Sequence, residues 1–408
     1  MNNINLQKSM NILFICDEYP PGLNGGIGSI VQSLSREMQR QGHRVYVIGL
    51  YTYQYGEADY EVDNGVRIWR LRYGFNFGKN KILYKFQRKI PSFIKSGLFG
   101  RSDFKRFVGF VCKIIQEESI DIIEQPDWNT FAYEIGISNP VLPKLSIPLI
   151  LKSHGSHSYF SKELNLPIRQ KWRDIDKALF ARADAISFVS KYCFEQNKLL
   201  FDIHVPTQIL YNALPQNADQ VKSERSGNIV FFSGTLVQKK GIFSLIKAWN
   251  IVNALVPDAK LIVFGKGETK ALEDLLDNRA RNSVDFKGHC PRKVLDGYLS
   301  LATLSIFPSY SETFGLGAVE SMSCGCPTIF TKRSCGPEII QHQENGLLVD
   351  PDDIQEIADT IMLLLSNKSL RERLGARGQI DVENRFNLTN ITQKHILWYK
   401  EVISSFEL

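Results

Sequence analysis

Twice along this chain of 408 residues, short apolar runs alternate with turns and amphipathic helical stretches, and that alternation limits the fold more than any other feature. Strands that are apolar almost throughout are buried on both faces, which requires a parallel sheet with helices on each side. In the first series Asn11–Asp17 reads as such a strand. Gly25, Gly26 and Gly28 follow, then a helix with Ile27, Ile30, Val31, Leu34 and Met38 on one face, stopped by Gly42. Val45–Leu50 is the next strand, and more are expected at Val66–Leu71, Asp121–Gln125, Leu149–Ser153, Ala185–Ser190 and Gln208–Tyr211. The polar stretch Asn212–Asn228, with Pro215 and Gly227, reads as a linker.

After it the pattern restarts. Strands are expected at Ile229–Ser233, Lys260–Phe264, Ser283–Lys287, Leu304–Phe307, Thr328–Thr331 and Gly346–Val349. Helices are expected at Ile242–Leu255, Thr269–Ala280, Arg292–Leu301 and after Phe314, and the chain closes with helices at Ile354–Leu365, Leu370–Glu383 and Leu388–Phe406. The expected fold class is therefore α/β, with two Rossmann-like doubly wound domains. Ligands of such domains sit beyond the carboxyl ends of the strands, so the chemistry belongs in those loops.

Composition narrows the class further. With 43% hydrophobic residues and a net charge of only +6, a mainly disordered chain is excluded. The longest nearly apolar stretch, around Leu299–Phe307, is about half the ~20 residues of a spanning helix. Met1–Met10 is polar and the run Asn11–Cys16 ends at Asp17, so no secretory signal is read and a cytoplasmic protein is expected. The seven cysteines are odd in number and scattered, which fits a reducing compartment without disulfides. Cys324, Cys326 and Cys335 cluster, but Cys-x-Cys is not the usual zinc spacing and no histidine follows at knuckle distance, so no metal is expected.

The charge is unevenly spread. Thirteen Lys and Arg lie between Arg67 and Lys113 against one acid, Asp103, with Tyr73, Phe75, Phe86, Phe93, Phe104 and other aromatics between them. One reading is a surface for an anionic partner, either a membrane face or a phosphorylated acceptor. The other is a solvated insertion with snorkelling side chains. No nucleic-acid motif accompanies the charge.

The loop Pro308–Glu320 holds Glu312 just before a helix and Glu320 about one and a half turns inside it, near enough to lean back toward that end. Amides around Phe314–Gly317 and the helix dipole suit an anion such as a diphosphate. Amides for phosphate and carboxylates for hydroxyls together suit a sugar nucleotide. The same spacing also fits a helix that merely carries an acid in its first turn and a solvated glutamate. Gly234-Thr235-Leu236-Val237-Gln238-Lys239-Lys240-Gly241 can admit a ligand at its glycines and place Lys239 or Lys240 on phosphate, although it lacks the Gly-Lys-Ser/Thr of a Walker loop. Gly265-Lys266-Gly267 and Phe286-Lys287-Gly288 follow the next two strands and also occur as ordinary turns. His154 ends the strand Leu149–Ser153, where Gly155 would leave its ring facing the cleft between the domains; a lone histidine there also serves a purely structural role.

Taken together, these residues resemble the retaining glycosyltransferases of family 4 (glycosyl transferases group 1), which have the two-domain GT-B fold. The resemblance runs nearly end to end, through Gly25-Gly26, Gly42-His43-Arg44-Val45, His154, Ala183-Asp184-Ala185, Gly234…Lys240-Gly241, Gly265-Lys266-Gly267 and Phe286-Lys287-Gly288. Its most specific part is Glu312 and Glu320 with seven residues between them and Phe314-Gly315 inside, followed by Gly325-Cys326-Pro327, Gly336-Pro337-Glu338 and Asn345-Gly346-Leu347-Leu348-Val349.

The resemblance implies an acceptor-side domain at 1–212, a linker at 213–227, a donor domain at 228–388, and a final helix, 389–408, packed back on the first domain. It implies a hexosyltransferase-type enzyme moving a sugar from a nucleotide diphosphate sugar to a glycan or lipid-linked acceptor, in polysaccharide or glycoconjugate synthesis. Lys240 would neutralise the diphosphate and the Gly315 and Leu316 amides would bind it; Glu312 would meet the donor-sugar hydroxyls and Glu320 the ribose. Gly25 and Gly26 would approach the diphosphate from the other domain, and His154 the sugar near its reacting carbon. Gly234, Gly265, Lys287 and Phe314 complete the substrate-binding set. Thr235 departs from the pattern, standing where the family has arginine, and Lys239 is expected to share the phosphate charge in compensation.

Departure of the phosphate leaves negative charge that cations and amides must meet, so no metal or other cofactor is expected. No second carboxylate is evident as a covalent nucleophile, and the resemblance implies retention by front-face attack, with the leaving phosphate taking up the acceptor proton. A sugar-nucleotide epimerase and a non-catalytic sugar-nucleotide-binding protein are the rivals on the same fold.

Overall fold

The run Asn11–Ile15 (β1) folds as a strand at the centre of an eight-stranded sheet, buried on both faces because four of its five residues are apolar. The computed structural model describes residues 9–21, 26–55, 58–78, 80–214, 225 and 227–406. They fall into two units, one of Met1–Leu214 with Leu388–Leu408 and one of Pro215–Asn387. In the first, β1 is joined by β2 (Arg44–Thr52), β3 (Tyr60–Asp63), β4 (Val66–Tyr73), β5 (Ile122–Pro126), β6 (Leu149–Ser153), β7 (Ala185–Phe188) and β8 (Thr207–Ile209). The order is β3-β4-β2-β1-β5-β6-β7-β8, parallel except for β3 against β4. Helices α1 (Gly26–Arg40), α2 (Lys81–Lys89), α3 (Ser92–Lys95), α4 (Arg101–Glu117), α5 (Thr130–Glu134), α6 (His157–Glu163), α7 (Gln170–Arg182) and α8 (Lys191–Lys198) connect them. Winding reverses between β1 and β5, so the loops at their carboxyl ends flank this unit's natural binding crevice.

The second unit repeats the scheme with β9 (Ile229–Ser233), β10 (Lys260–Phe264), β11 (Val284–Gly288), β12 (Leu304–Phe307), β13 (Thr328–Thr331) and β14 (Leu347–Val349). All are parallel, in the order β11-β10-β9-β12-β13-β14, and winding reverses between β9 and β12. Its helices are α9 (Ile242–Leu255), α10 (Lys270–Glu273), α11 (Arg292–Leu301), α12 (Leu316–Ser323), α13 (Gly336–Ile339), α14 (Ile354–Ser366) and α15 (Lys368–Phe386). Trp249 of α9 is fully buried in this core, and its indole N–H donates to Ser283 Oγ at 2.9 Å. Helix α16 (Leu388–Phe406) then returns to the first unit, where Ile396, Trp398, Tyr399 and Val402 share one apolar core with Ile12, Phe14, Val31, Val47 and Ile68.

Most expected elements form within a residue or two of their expected bounds. The helix expected over Thr269–Ala280 shrinks to one turn, α10, because Asn250 of α9 captures its backbone: the side-chain amide donates to the Leu275 carbonyl at 2.9 Å and accepts from the Asp277 N–H at 3.0 Å. The basic stretch is not one surface. Arg70 is buried on Glu61 at 2.7 Å, Arg72 holds Asp59 at 2.7 Å, and Arg67 reaches Glu118 at 2.7 Å, so the β4 arginines serve internal pairing. Tyr73, Tyr84, Phe99 and Phe107 are likewise core residues. All seven cysteines are free, and Cys324, Cys326 and Cys335 join no ligand-like cluster among the described residues. No described helix is long and apolar enough to cross a membrane.

Two buried polar contacts fasten α16. Lys152 Nζ lies 2.6 Å from His395 Nε2, and the Tyr399 hydroxyl donates to Glu124 Oε2 at 2.6 Å. Burial pulls Lys152 below its ordinary pKa against the attraction of Glu124, and burial with the Lys152 charge holds the His395 imidazole well below its own. Lys152→Ala strands Glu124 and His395 in a dry core, and we expect it to lower the free energy of urea unfolding by about 3–5 kcal/mol. A loss under about 1 kcal/mol, the size of an ordinary surface substitution, would show the ammonium to be dispensable there.

Candidate active site

In the second unit, the two loops at the winding reversal bring opposite charges together. The loop after β9 ends in a single 3-10 turn, Gln238–Lys240, and the loop after β12 runs from Pro308 to Gly315. They are tied through the backbone, the Tyr310 N–H donating to the Lys239 carbonyl at 2.8 Å. Lys240 Nζ donates to Glu312 Oε1 at 2.6 Å, and the Ser309 hydroxyl donates to the same oxygen at 2.9 Å. The Glu312 N–H in turn donates to Ser334 Oγ at 3.1 Å, so the residue is fixed at both ends. Glu312 Oε2 accepts no hydrogen bond among the described residues, which leaves it for a hydroxyl. Burial pushes this carboxyl up, but Lys240, Lys239 and Ser309 outweigh it and hold it below the usual carboxylate range. Lys239 goes the other way: burial and the adjacent Lys240 charge, opposed by Glu312, pull its pKa down to about 8.

Next to this pair a helix starts without a cap. Gly315, the residue before α12, has φ +80° and no side chain caps the helix. The N–H groups of Gly315, Leu316 and Gly317 donate to no acceptor among the described residues, so this end presents a small set of amides with the positive pole of the helix dipole behind it. Glu320 lies one turn further in, and it is not solvated: the Arg292 guanidinium pairs with it while Arg292 Nε holds Asp296 at 2.6 Å. Burial raises the Glu320 carboxyl, Arg292 draws it back, Asp296 pushes it up again, and the net is above its ordinary value.

Other expected site residues fall outside this group. Phe314 is a core side chain, edge-on to Phe386 at 5.2 Å, so its ring is not a ligand contact. Gly265 lacks a side chain for an internal reason, since a Cβ there would come within 1.8 Å of the Gly234 carbonyl oxygen; the close approach is to its own neighbouring loop. Gly234 donates its N–H to Phe264, and Thr235 stands exposed on the loop. Lys287 lies on the edge strand β11 with its ammonium on Asp285 at 2.5 Å, and no contact among the described residues joins it to Lys240 or Glu312.

In the first unit His154 follows β6, and its loop is clamped by a carboxylate that the sequence did not single out. Asp127, just beyond β5, accepts from the His154 N–H at 2.9 Å, the Gly155 N–H at 3.1 Å and the Ser153 hydroxyl at 2.7 Å. Burial raises Asp127 to about 7 while these donors pull it down. Burial and the Lys152 charge keep the His154 imidazole well below its ordinary pKa, so it is neutral at physiological pH. Beyond it, His157 stacks on Trp172 at 4.0 Å and meets Trp128 at 4.1 Å, a half-exposed aromatic wall. Gly26 is the exposed first residue of α1; Gly25 lies outside the described residues. Arg292, Ser309, Ser334 and Asp127 went unnoticed because their signal is spatial: each is an ordinary residue type made specific by its partner.

A Cβ on Gly315 would combine a disfavoured φ with an approach of 2.4 Å to Phe330 Cζ. Gly315→Ala should therefore destabilise the second unit by about 1–3 kcal/mol in chemical denaturation. An unchanged midpoint would mean the helix start tolerates another geometry.

Comparison with known proteins bears on this arrangement. Residues 24–215 match the family model described as Glycosyltransferase Family 4, and residues 215–381 match Glycosyl transferases group 1. The chain is 26% identical to the uncharacterized glycosyltransferase MJ1607 of Methanocaldococcus jannaschii, over 96% of this chain and 98% of the relative. It is 28% identical to the 2-deoxystreptamine N-acetyl-D-glucosaminyltransferase of Niallia circulans, over 59% and 66%. Among solved structures, sucrose-phosphate synthase of Thermosynechococcus elongatus superposes with a TM-score of 0.77 at 19% identity, over 97% of this chain and 100% of that one. Anabaena HepE, solved in complex with UDP and glucose, gives 0.69 at 18% identity, over 95% and 99%. At those identities the likeness is one of fold.

Proposed function

Because the chain belongs to the group 1 and family 4 glycosyltransferases and has their GT-B fold, we propose that it moves a hexosyl group, with retention, from a nucleotide diphosphate sugar to a glycan or lipid-linked acceptor. The observation that carries this reading is the group at the β9/β12 reversal: an ammonium, a carboxylate with one oxygen unengaged, and an uncapped helix start side by side. Few ligands need all three. A diphosphate takes the ammonium and the amides, and a sugar hydroxyl takes Glu312 Oε2.

Each residue then has a task. Lys240 turns from Glu312 toward the diphosphate, and Lys239 adds a second charge where Thr235 supplies none. The Gly315 and Leu316 amides bind phosphate oxygens whose charge grows as the anomeric bond breaks, so they stabilise the transition state more than the bound donor. Glu320 takes the ribose hydroxyls, with Arg292 as its partner until they arrive. In the first unit His154, being neutral, donates or accepts a hydrogen bond to the donor sugar instead of adding charge, and the rings of Trp128, His157 and Trp172 offer acceptor sugars an apolar face. The departing phosphate takes the acceptor proton. The charge being met by Lys239, Lys240 and amides, the reaction needs no divalent ion. The protein works in the cytoplasm, in polysaccharide or glycoconjugate synthesis.

The HepE complex makes uridine diphosphate the first probe, with guanosine and adenosine diphosphates beside it in a thermal-shift screen. Lys240→Ala should weaken binding of the preferred diphosphate about tenfold to a hundredfold by calorimetry; unchanged affinity would remove Lys240 from the phosphate site. An arriving diphosphate favours the charged form of Lys239, whose pKa is about 8. Binding therefore takes up a proton above about pH 8 and affinity falls as pH rises through that value, a fall that Lys239→Ala abolishes. With the donor found, anomeric NMR of the product should show retention, equally in the presence of EDTA; an inverted product would refute the mechanism, and a loss of turnover on chelation would refute its independence of metal.

A further inference from the structure

With Arg70 and Arg72 turned inward and Arg67 paired with Glu118, the remaining cations of the basic stretch gather on the helices that follow. Lys81, Lys85, Lys89, Arg101 and Lys105 are exposed, and none is ion-paired among the described residues; the pairs in this stretch are made by Arg88, Arg106 and Lys113. Apolar residues stand out beside them. Six of the eighteen large apolar side chains exposed among the described residues fall within residues 82–98, a concentration that scattered surface residues do not produce.

The spacing sorts them. On α2, Tyr84 and Gln87 face the core. Ile82, Leu83 and Phe86 form one outward strip, and Lys81, Lys85 and Lys89, four residues apart, form the strip beside it. Past Pro91 the apolar strip continues through Phe93, 77% exposed, Ile94 and Leu98. The helices beneath are firmly held: Tyr84 packs on Phe77 at 5.3 Å, Phe75 on Phe99 at 5.4 Å, the Phe75 N–H donates to Gln87 at 2.9 Å, and Lys95 Nζ donates to the Arg88 carbonyl at 3.0 Å. The apolar residues are presented on an ordered base.

We propose that the outward face of residues 81–98, with Arg101 and Lys105, seats the protein on an anionic lipid bilayer, the apolar strip entering the headgroup boundary and the cations meeting lipid phosphates. Charge decides between occupants. A second copy would set five unpaired cations against five more, whereas an anionic bilayer supplies apolar depth and opposite charge together. The inference draws nothing from the transferase reading, and its test uses no donor.

The full chain should co-sediment with vesicles of phosphatidylcholine mixed with phosphatidylglycerol, weakly with phosphatidylcholine alone, and less as salt is raised. Phe86→Ser/Phe93→Ser should cut that affinity by about tenfold or more. Lys81→Gln/Lys85→Gln/Lys89→Gln should cut it about a hundredfold at low salt, about fivefold per lysine. Both variants change exposed side chains, so thermal unfolding and diphosphate binding should match the unaltered protein. Vesicle binding absent or indifferent to lipid charge, or undiminished in both variants, would overturn the proposal. So would a dimer in solution that Phe86→Ser/Phe93→Ser dissolves while vesicles remain unbound, which would give the face to a second copy.

Discussion

A lysine and a glutamate held 2.6 Å apart where the second sheet reverses its winding set the terms for the rest of that unit. Two opposite charges in a sparsely hydrated place gain little net stability from meeting each other, because the cost of removing both from water consumes most of the attraction. Their value lies in what they hold ready. Ser309 holds the carboxylate and Ser334 the backbone N–H of the same residue, the Tyr310 amide ties one loop to the other, and the uncapped start of α12 stands beside them. The fold supplies the meeting point and the side chains supply the polarity.

The first unit uses a related device with a different balance. At its own reversal Asp127 takes three donors from the strand end and turn that carry His154, so a buried acid shapes a loop instead of facing a ligand. Burial, with the charge of Lys152 two residues earlier on β6, holds the His154 imidazole well below its ordinary pKa. One unit thus concentrates a charged pair at its reversal, and the other an imidazole of lowered pKa, with the aromatic group around His157 a few residues beyond it.

Much of this was legible in the residues. Apolar strands such as Leu149–Ser153 and Leu304–Phe307, and helices such as Ile242–Leu255, announce themselves because burial on both faces, or on one stripe, dictates composition directly. The Glu312–Glu320 spacing and the Lys239-Lys240 turn pointed to two loops that the structure brings into contact, because a helix start and a strand-end turn are local events. What escaped was set by distant partners. Asn250 breaks a helix some twenty-five residues away in sequence, Glu61 and Asp59 internalise arginines that look solvent-bound, and Arg292 covers a glutamate that spacing alone leaves bare. At Gly265 the close approach is to the Gly234 carbonyl, because a glycine signals close approach without saying to what.

The return of α16 to the first unit has a consequence for how the protein is made. Its Ile396, Trp398, Tyr399 and Val402 complete a core whose other members lie before residue 215, so the whole of the second unit leaves the ribosome before the first can close. Until then Lys152 and Glu124 lack the ring and the hydroxyl that satisfy them. Vectorial synthesis usually lets the leading domain finish first; in this chain the trailing domain is finished first, and the leading one waits with its eight strands made and part of its core uncovered until the last helix arrives.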